Sequence, residues 1–137
     1  MRKDSRLSRM LHILIHMDHM EEAATSDHIA TMLNTNPVVV RRTMGCLREH
    51  NYVTSLKGHG GGWRLNVALE DITLLAIHTA LGESSVFTIG LSDEHTQCLI
   101  EQAVNRELAS ALEASEALLL KRFGDINLAM LAKDFHT

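Results

Sequence analysis

Asn36, Pro37, Val38, Arg41 and Arg42 fall in one short run of the chain. An arginine fork can bond two acceptors on a guanine edge at once, an asparagine amide can do the same with adenine, and a valine can touch a thymine methyl. These side chains reach bases only from the N-terminal, outward side of a helix lying in a major groove. Arg48, one to two turns further on, and Lys57 suit phosphates, which give affinity without sequence information. Lys57 and His59 stand among glycines in Lys57-Gly58-His59-Gly60-Gly61-Gly62. Small residues let a backbone enter a narrow minor groove, whose negative potential attracts cationic side chains. Arg64 can add a phosphate contact. An arginine pair is more often a plain solvated helix face, so the reading depends on the elements that carry it.

Other groupings each have a simpler role beside the chemical one. Cys98 precedes a long helical stretch, and helix N-termini favour reactive thiolates. Its oxidation or alkylation could shift the geometry of that helix, which makes Cys98 a sensor candidate. Asp93 and Glu94 nearby oppose thiolate formation, and a small packing residue is the plain alternative. Cys46, inside the reading helix, is expected to be packed or half-buried. His12, His16 and His19 share one helix face at a spacing that can hold a transition metal. No HExxH occurs, Asp18 and Glu22 are the evident carboxylates nearby, and a polar helix face accounts for the rings, so no metal is assigned. His59-Gly60-Gly61-Gly62-Trp63 resembles an esterase oxyanion-hole motif, but no G-x-S-x-G follows. No Gly-Lys-Ser/Thr completes a phosphate loop either. The chain is read as a non-enzyme.

The elements that must position the candidate residues can be traced along the chain. Leu7, Met10, Leu11, Leu14 and Met17 mark an amphipathic helix from about Asp4 to Met20. Thr25-Ser26-Asp27 supplies cap chemistry for a short helix with Ile29, Met32 and Leu33 inward, ending near Asn34. Pro37 suits the first position of the next helix, where an N–H would be unpaired anyway. That helix runs to about His50, with Val40, Met44 and Leu47 inside. The pair is a helix-turn-helix pattern. Tyr52 to Leu56 and Trp63 to Val67 alternate as two strands around the glycine loop. A hairpin directly after a helix-turn-helix is a winged helix. Residues 72–81 are helical and stop at Gly82. Residues 83–92 read as a loop with extended character around 86–89, and Ser92-Asp93 could cap a further helix. From about Leu99 to Phe123 runs a long helix with Val104, Leu108, Leu112, Leu119 and Phe123 on one apolar side. Ala103, Ala111, Ala114 and Ser115 allow another helix close by. So long a terminal helix needs a partner for that face, and a second copy of the chain is the simplest.

Composition agrees with a mainly helical protein. The 137 residues fit one domain with an appendage. Aromatics make up only 4%, which disfavours a β-sandwich. Residues 1–66 hold nine Lys/Arg against six Asp/Glu, a net +3, and residues 67–137 hold four against eleven, a net −7. A basic first half suits an anionic partner for that half only. No apolar run reaches the roughly 18 residues of a membrane span. No signal-peptide pattern opens the chain, so a cytoplasmic protein without a membrane partner is expected. Two cysteines in different halves, Cys46 and Cys98, suit a reducing compartment.

The run from Thr25-Ser26-Asp27-His28-Ile29-Ala30, through Asn36-Pro37-Val38-Val39-Val40-Arg41-Arg42, to Lys57-Gly58-His59-Gly60-Gly61-Gly62-Trp63 resembles the Rrf2 (Rrf-two) family of bacterial transcriptional regulators. Ser5-Arg6-Leu7 and Asn127-Leu128-Ala129-Met130-Leu131 look like the same family, so the resemblance covers nearly the whole chain. It implies a homodimer with a winged-helix head and a long dimerisation helix, usually acting as a repressor. Several members hold an iron–sulfur cluster through three closely spaced cysteines. Here only Cys98 lies in that region, and one thiolate cannot hold a cluster. A cross-dimer site of two Cys98 and two His95 is the remaining route. The chain is closer to a cluster-free branch with a single cysteine before the long helix, and no cofactor is expected. The fold class expected is mainly α with a small β-hairpin: a head at 1–82, then linker and dimerisation helices at 83–137. The function expected is a homodimeric repressor binding double-stranded DNA, with helix 37–50 in the major groove and wing 57–62 in the minor. A winged-helix protein-interaction subunit that reads no DNA is the alternative.

Overall fold

The computed structural model describes residues 5–58, 61–82, 86, 87 and 89–133. The first helix, α1 (Arg6–Asp18), buries Met10, Ile13, Leu14 and Met17 along one face. Two shorter helices follow, α2 (Ser26–Leu33) and α3 (Pro37–Glu49). Each boundary between them has a local cause. The Thr25 hydroxyl accepts from the His28 N–H at 3.0 Å and starts α2. Asn34 takes a left-handed conformation (φ 53°) and ends it. The Thr35 N–H then closes back on the Ala30 carbonyl at 2.9 Å. Pro37 opens α3, and Asn51 at φ 65° turns the chain out of it.

The wing is an antiparallel pair, β1 (Val53–Leu56) and β2 (Gly62–Leu65), in the register Val53↔Leu65 to Leu56↔Gly62. It does not stand alone. Ala24 and Trp63 exchange both backbone hydrogen bonds, at 2.8 and 2.7 Å, so the segment before α2 acts as a third rung. Gly62 makes this approach possible. Its φ is +145°, and a Cβ there would lie 2.5 Å from the Ala24 carbonyl oxygen.

Beyond the wing, a short 3-10 turn (Leu69–Asp71) leads to α4 (Leu74–Ala80), capped by the Thr73 hydroxyl. The long helix α5 (Leu99–Gly124) has 26 residues and spans about 39 Å at 1.5 Å per residue. The last helix, α6 (Leu128–Ala132), returns to the head. The Leu128 N–H donates to Ile72 and the Leu74 N–H to Ile126, at 2.9 and 3.0 Å. Leu128 is completely buried in the same core as Ile13, Ile29, Met44 and Ile77. The core is therefore not confined to residues 1–82.

The mainly helical fold with its wing and long helix is the one expected. Two local expectations differ. Residues 94–97 form turns rather than a helix begun by Ser92-Asp93. The Glu101 carboxylate takes the His95 N–H, and the Gln102 amide donates to the Thr96 carbonyl, which folds this segment against the first turn of α5. Val86, Phe87 and Ile89 belong to no strand, while Thr88 lies outside the described residues. The Val86 N–H reaches Glu116 on α5 at 3.3 Å. No helix among the described residues is long and apolar enough to cross a membrane.

Candidate nucleic-acid interface

The outer face of α3 begins with Val38 and Val39, both exposed, and continues one turn later with the exposed Arg41 and Arg42. Residues three and four apart on a helix are neighbours, so Val38 sits beside both arginines. The inner face holds Val40, Thr43, Met44 and Leu47. This burial fixes which way the arginines point. Gly45 extends the face with no side chain and with open space where a Cβ would stand.

The other candidate residues divide. Asn36 is the N-cap of α3, and its Oδ1 accepts the Val39 N–H at 3.0 Å. A two-point contact with adenine would draw on the second lone pair of that same oxygen and on the amide N–H. Pro37 is partly buried at the first helical position. The Arg48 guanidinium lies 5.9 Å from the centroid of Trp63, a cation–π distance. Arg48 thus stands where α3 meets the wing. Lys57 is exposed at the start of the wing loop, before Gly58 at φ 87°. His59 lies outside the described residues. Arg64 is exposed, but strand alternation puts it on the face opposite Trp63. It lines a shallow cleft with Met17, Asp18 and Glu21. That separates Arg64 from the arginines of α3.

Trp63 ties the pieces together. Its indole N–H donates to Ser26 Oγ on α2 at 3.0 Å, its backbone pairs with Ala24, and its ring meets Arg48 on α3. Sequence reading gave Trp63 a strand position and a place in the family-like run, but no part in joining these elements. Val39 and Gly45 were also missed, although a helical wheel drawn through Val38 and Arg42 carries the same face through both.

The Rrf2 family, described as an iron-dependent transcriptional regulator family, matches residues 4–134. The chain belongs to the Rrf2 family of transcriptional regulators. YwnA of Bacillus subtilis, described as a candidate HTH-type transcriptional regulator, is 31% identical over 111 residues, covering 81% of this chain and 82% of YwnA. The crystal structure of a candidate transcriptional regulator from Lactobacillus plantarum superposes with a TM-score of 0.81 at 22% identity, covering 96% of this chain and 90% of that one. A crystal structure described as a candidate DNA-binding protein gives 0.66 at 26% identity, covering 87% and 95%.

The family description names iron, which thiolates and imidazoles can hold. Cys98 is exposed at the N-cap of α5, and Cys46 is half-buried on α3. Among the described residues, no three His, Cys, Asp or Glu side chains converge to hold a metal ion. The two cysteines of the sequence stand on different elements, Cys98 before α5 and Cys46 on α3. The Cys98 side chain makes no cap hydrogen bond, while its N–H donates to the His95 carbonyl at 2.8 Å.

Proposed function

We propose that this Rrf2 protein is a homodimeric repressor that binds double-stranded DNA by sequence and catalyses no reaction. The observation that carries the reading is the α3 face. Val38, Val39, Arg41 and Arg42 are all exposed at the N-terminal end of a helix whose other face is core. A helix so placed can enter a major groove end-on, with the arginines at guanine edges and the valines at thymine methyls. Arg48 and Lys57 would add phosphate contacts, and the wing hairpin would meet the adjacent minor groove. Arg64 contributes least, since it shares its cleft with Asp18 and Glu21.

The dimer rests on α5. Among the described residues, none in this helix is buried. Leu99, Ile100, Val104, Leu108 and Leu118 are all exposed in the single chain. A second copy related by a two-fold axis would cover this face and present two reading helices to one palindromic site.

The test is selection of duplex DNA from a random pool by the reduced protein at two salt concentrations. A palindrome bound with salt-sensitive affinity is the expected result. Arg41→Ala with Arg42→Ala should abolish specific binding while the protein stays folded and dimeric. Unchanged operator affinity in that variant would reject α3 as the reading element and favour a role in binding another protein.

A further inference from the structure

The side of α1 away from the core carries His12 and His16, one turn apart. Their two Nε2 atoms lie 3.0 Å from each other. The ring centroids are 4.6 Å apart and the planes cross at 70°. The rings thus aim the same nitrogen at one point instead of stacking. In the neutral pair, one Nε2 carries the shared hydrogen and the other accepts it.

That separation is also the one a metal ion imposes. Two imidazole nitrogens bound at about 2.0–2.1 Å in neighbouring coordination positions stand roughly 2.9–3.4 Å apart. The frame behind them is rigid, because Met10, Ile13, Leu14 and Met17 fix α1 to the core. The i, i+4 spacing is the one by which helices present two histidines to zinc. His19 follows on the same side, its Nδ1–H donating to the Ile15 carbonyl at 3.0 Å.

We propose that His12 and His16 form a bidentate site for a divalent transition-metal ion of the zinc class, with water in the remaining positions. Binding replaces the imidazole–imidazole hydrogen bond. The ring that donated moves its proton to Nδ1, so both Nε2 lone pairs face the ion. No thiolate takes part. With two protein ligands it is weaker than a four-ligand structural zinc site.

The test is Zn2+ titration of the full-length protein in competition with a chromophoric chelator. Wild type should bind one ion per chain. His12→Gln and His16→Gln should each weaken binding at least tenfold, with circular dichroism unchanged. His28→Gln, an exposed histidine on α2, should bind as wild type does. No uptake by wild type would overturn the site. So would either of the two α1 variants binding as tightly as wild type, since that places the ion elsewhere.

Discussion

Asn36 shows how one residue type serves two purposes. As a cap it accepts the Val39 N–H, and as a free amide it could read adenine. Both readings begin from the same side chain at the same position, so sequence cannot separate them. The structure shows the cap, and Asn36→Ala should cost about 0.5–2 kcal/mol. Urea unfolding measures this loss, and Asn36→Asp should largely restore it. His16 gives a second expectation at this scale. Its folded pKa lies below the ordinary 6.5, chiefly through burial. The unfolded chain therefore binds more protons than the folded one as pH falls past that value. Stability from this group is present above the unfolded pKa and is lost as pH falls toward the folded one. Urea unfolding at pH 7.5 and 5.5 should show a smaller drop for His16→Gln than for wild type. The two cysteines differ in access, Cys98 exposed and Cys46 half-buried. Mass-spectrometric labelling with a small alkylating reagent should modify Cys98 first. Equal, slow labelling of both would count against a sensing role for Cys98.

The reading helix and the wing act together only through the residues at their junction. Gly62 and Trp63 hold β2 against Ala24 and α2. Gly62→Ala would add a Cβ 2.5 Å from the Ala24 carbonyl oxygen at a backbone angle that alanine rarely adopts. The expected result is a loss of more than about 1 kcal/mol and weaker DNA binding through a displaced wing. Trp63→Phe keeps most of the ring but removes the hydrogen bond to Ser26, a loss of about 0.5–1.5 kcal/mol. Elements whose boundaries are written in single residues were legible from sequence: Thr25 as a cap, Pro37 as a first residue, Asn34 and Gly82 as stops. The inner stripe Val40, Met44 and Leu47 was equally legible, because its period matches the helix. What sequence did not show depends on distant partners. Arg64 looks like any wing cation until the fold sets it beside Asp18 and Glu21. Asn127-Leu128 could be recognised as a segment, but not as a strand-like contact with Thr73 that brings Leu128 into the head.

At the scale of the whole molecule, α5 is the feature the single chain does not satisfy. It touches the head at its C-terminal end, where the Phe123 ring meets His78 edge-on at 6.0 Å and Gly124 lies against Leu75. Toward its N-terminal end, Val104 and Leu108 remain exposed one turn apart. A two-fold partner would cover them, and the charge division of the chain fits such an arrangement. The acidic second half would lie between two basic heads, away from the DNA phosphates. Val104→Glu with Leu108→Glu should therefore separate the two subunits without unfolding either, because neither side chain is part of the chain's own core. Sedimentation should shift from dimer to monomer, while circular dichroism remains that of wild type. DNA affinity should fall much further than the loss of one head's contacts would give. In the dimer, once one head is bound, the other meets its half-site at a high effective concentration, and the monomer lacks that advantage. A double variant that still sediments as a dimer would move the interface off this part of α5. A monomer that keeps full operator affinity would instead show that one head suffices, and would remove the palindrome from the expected binding site.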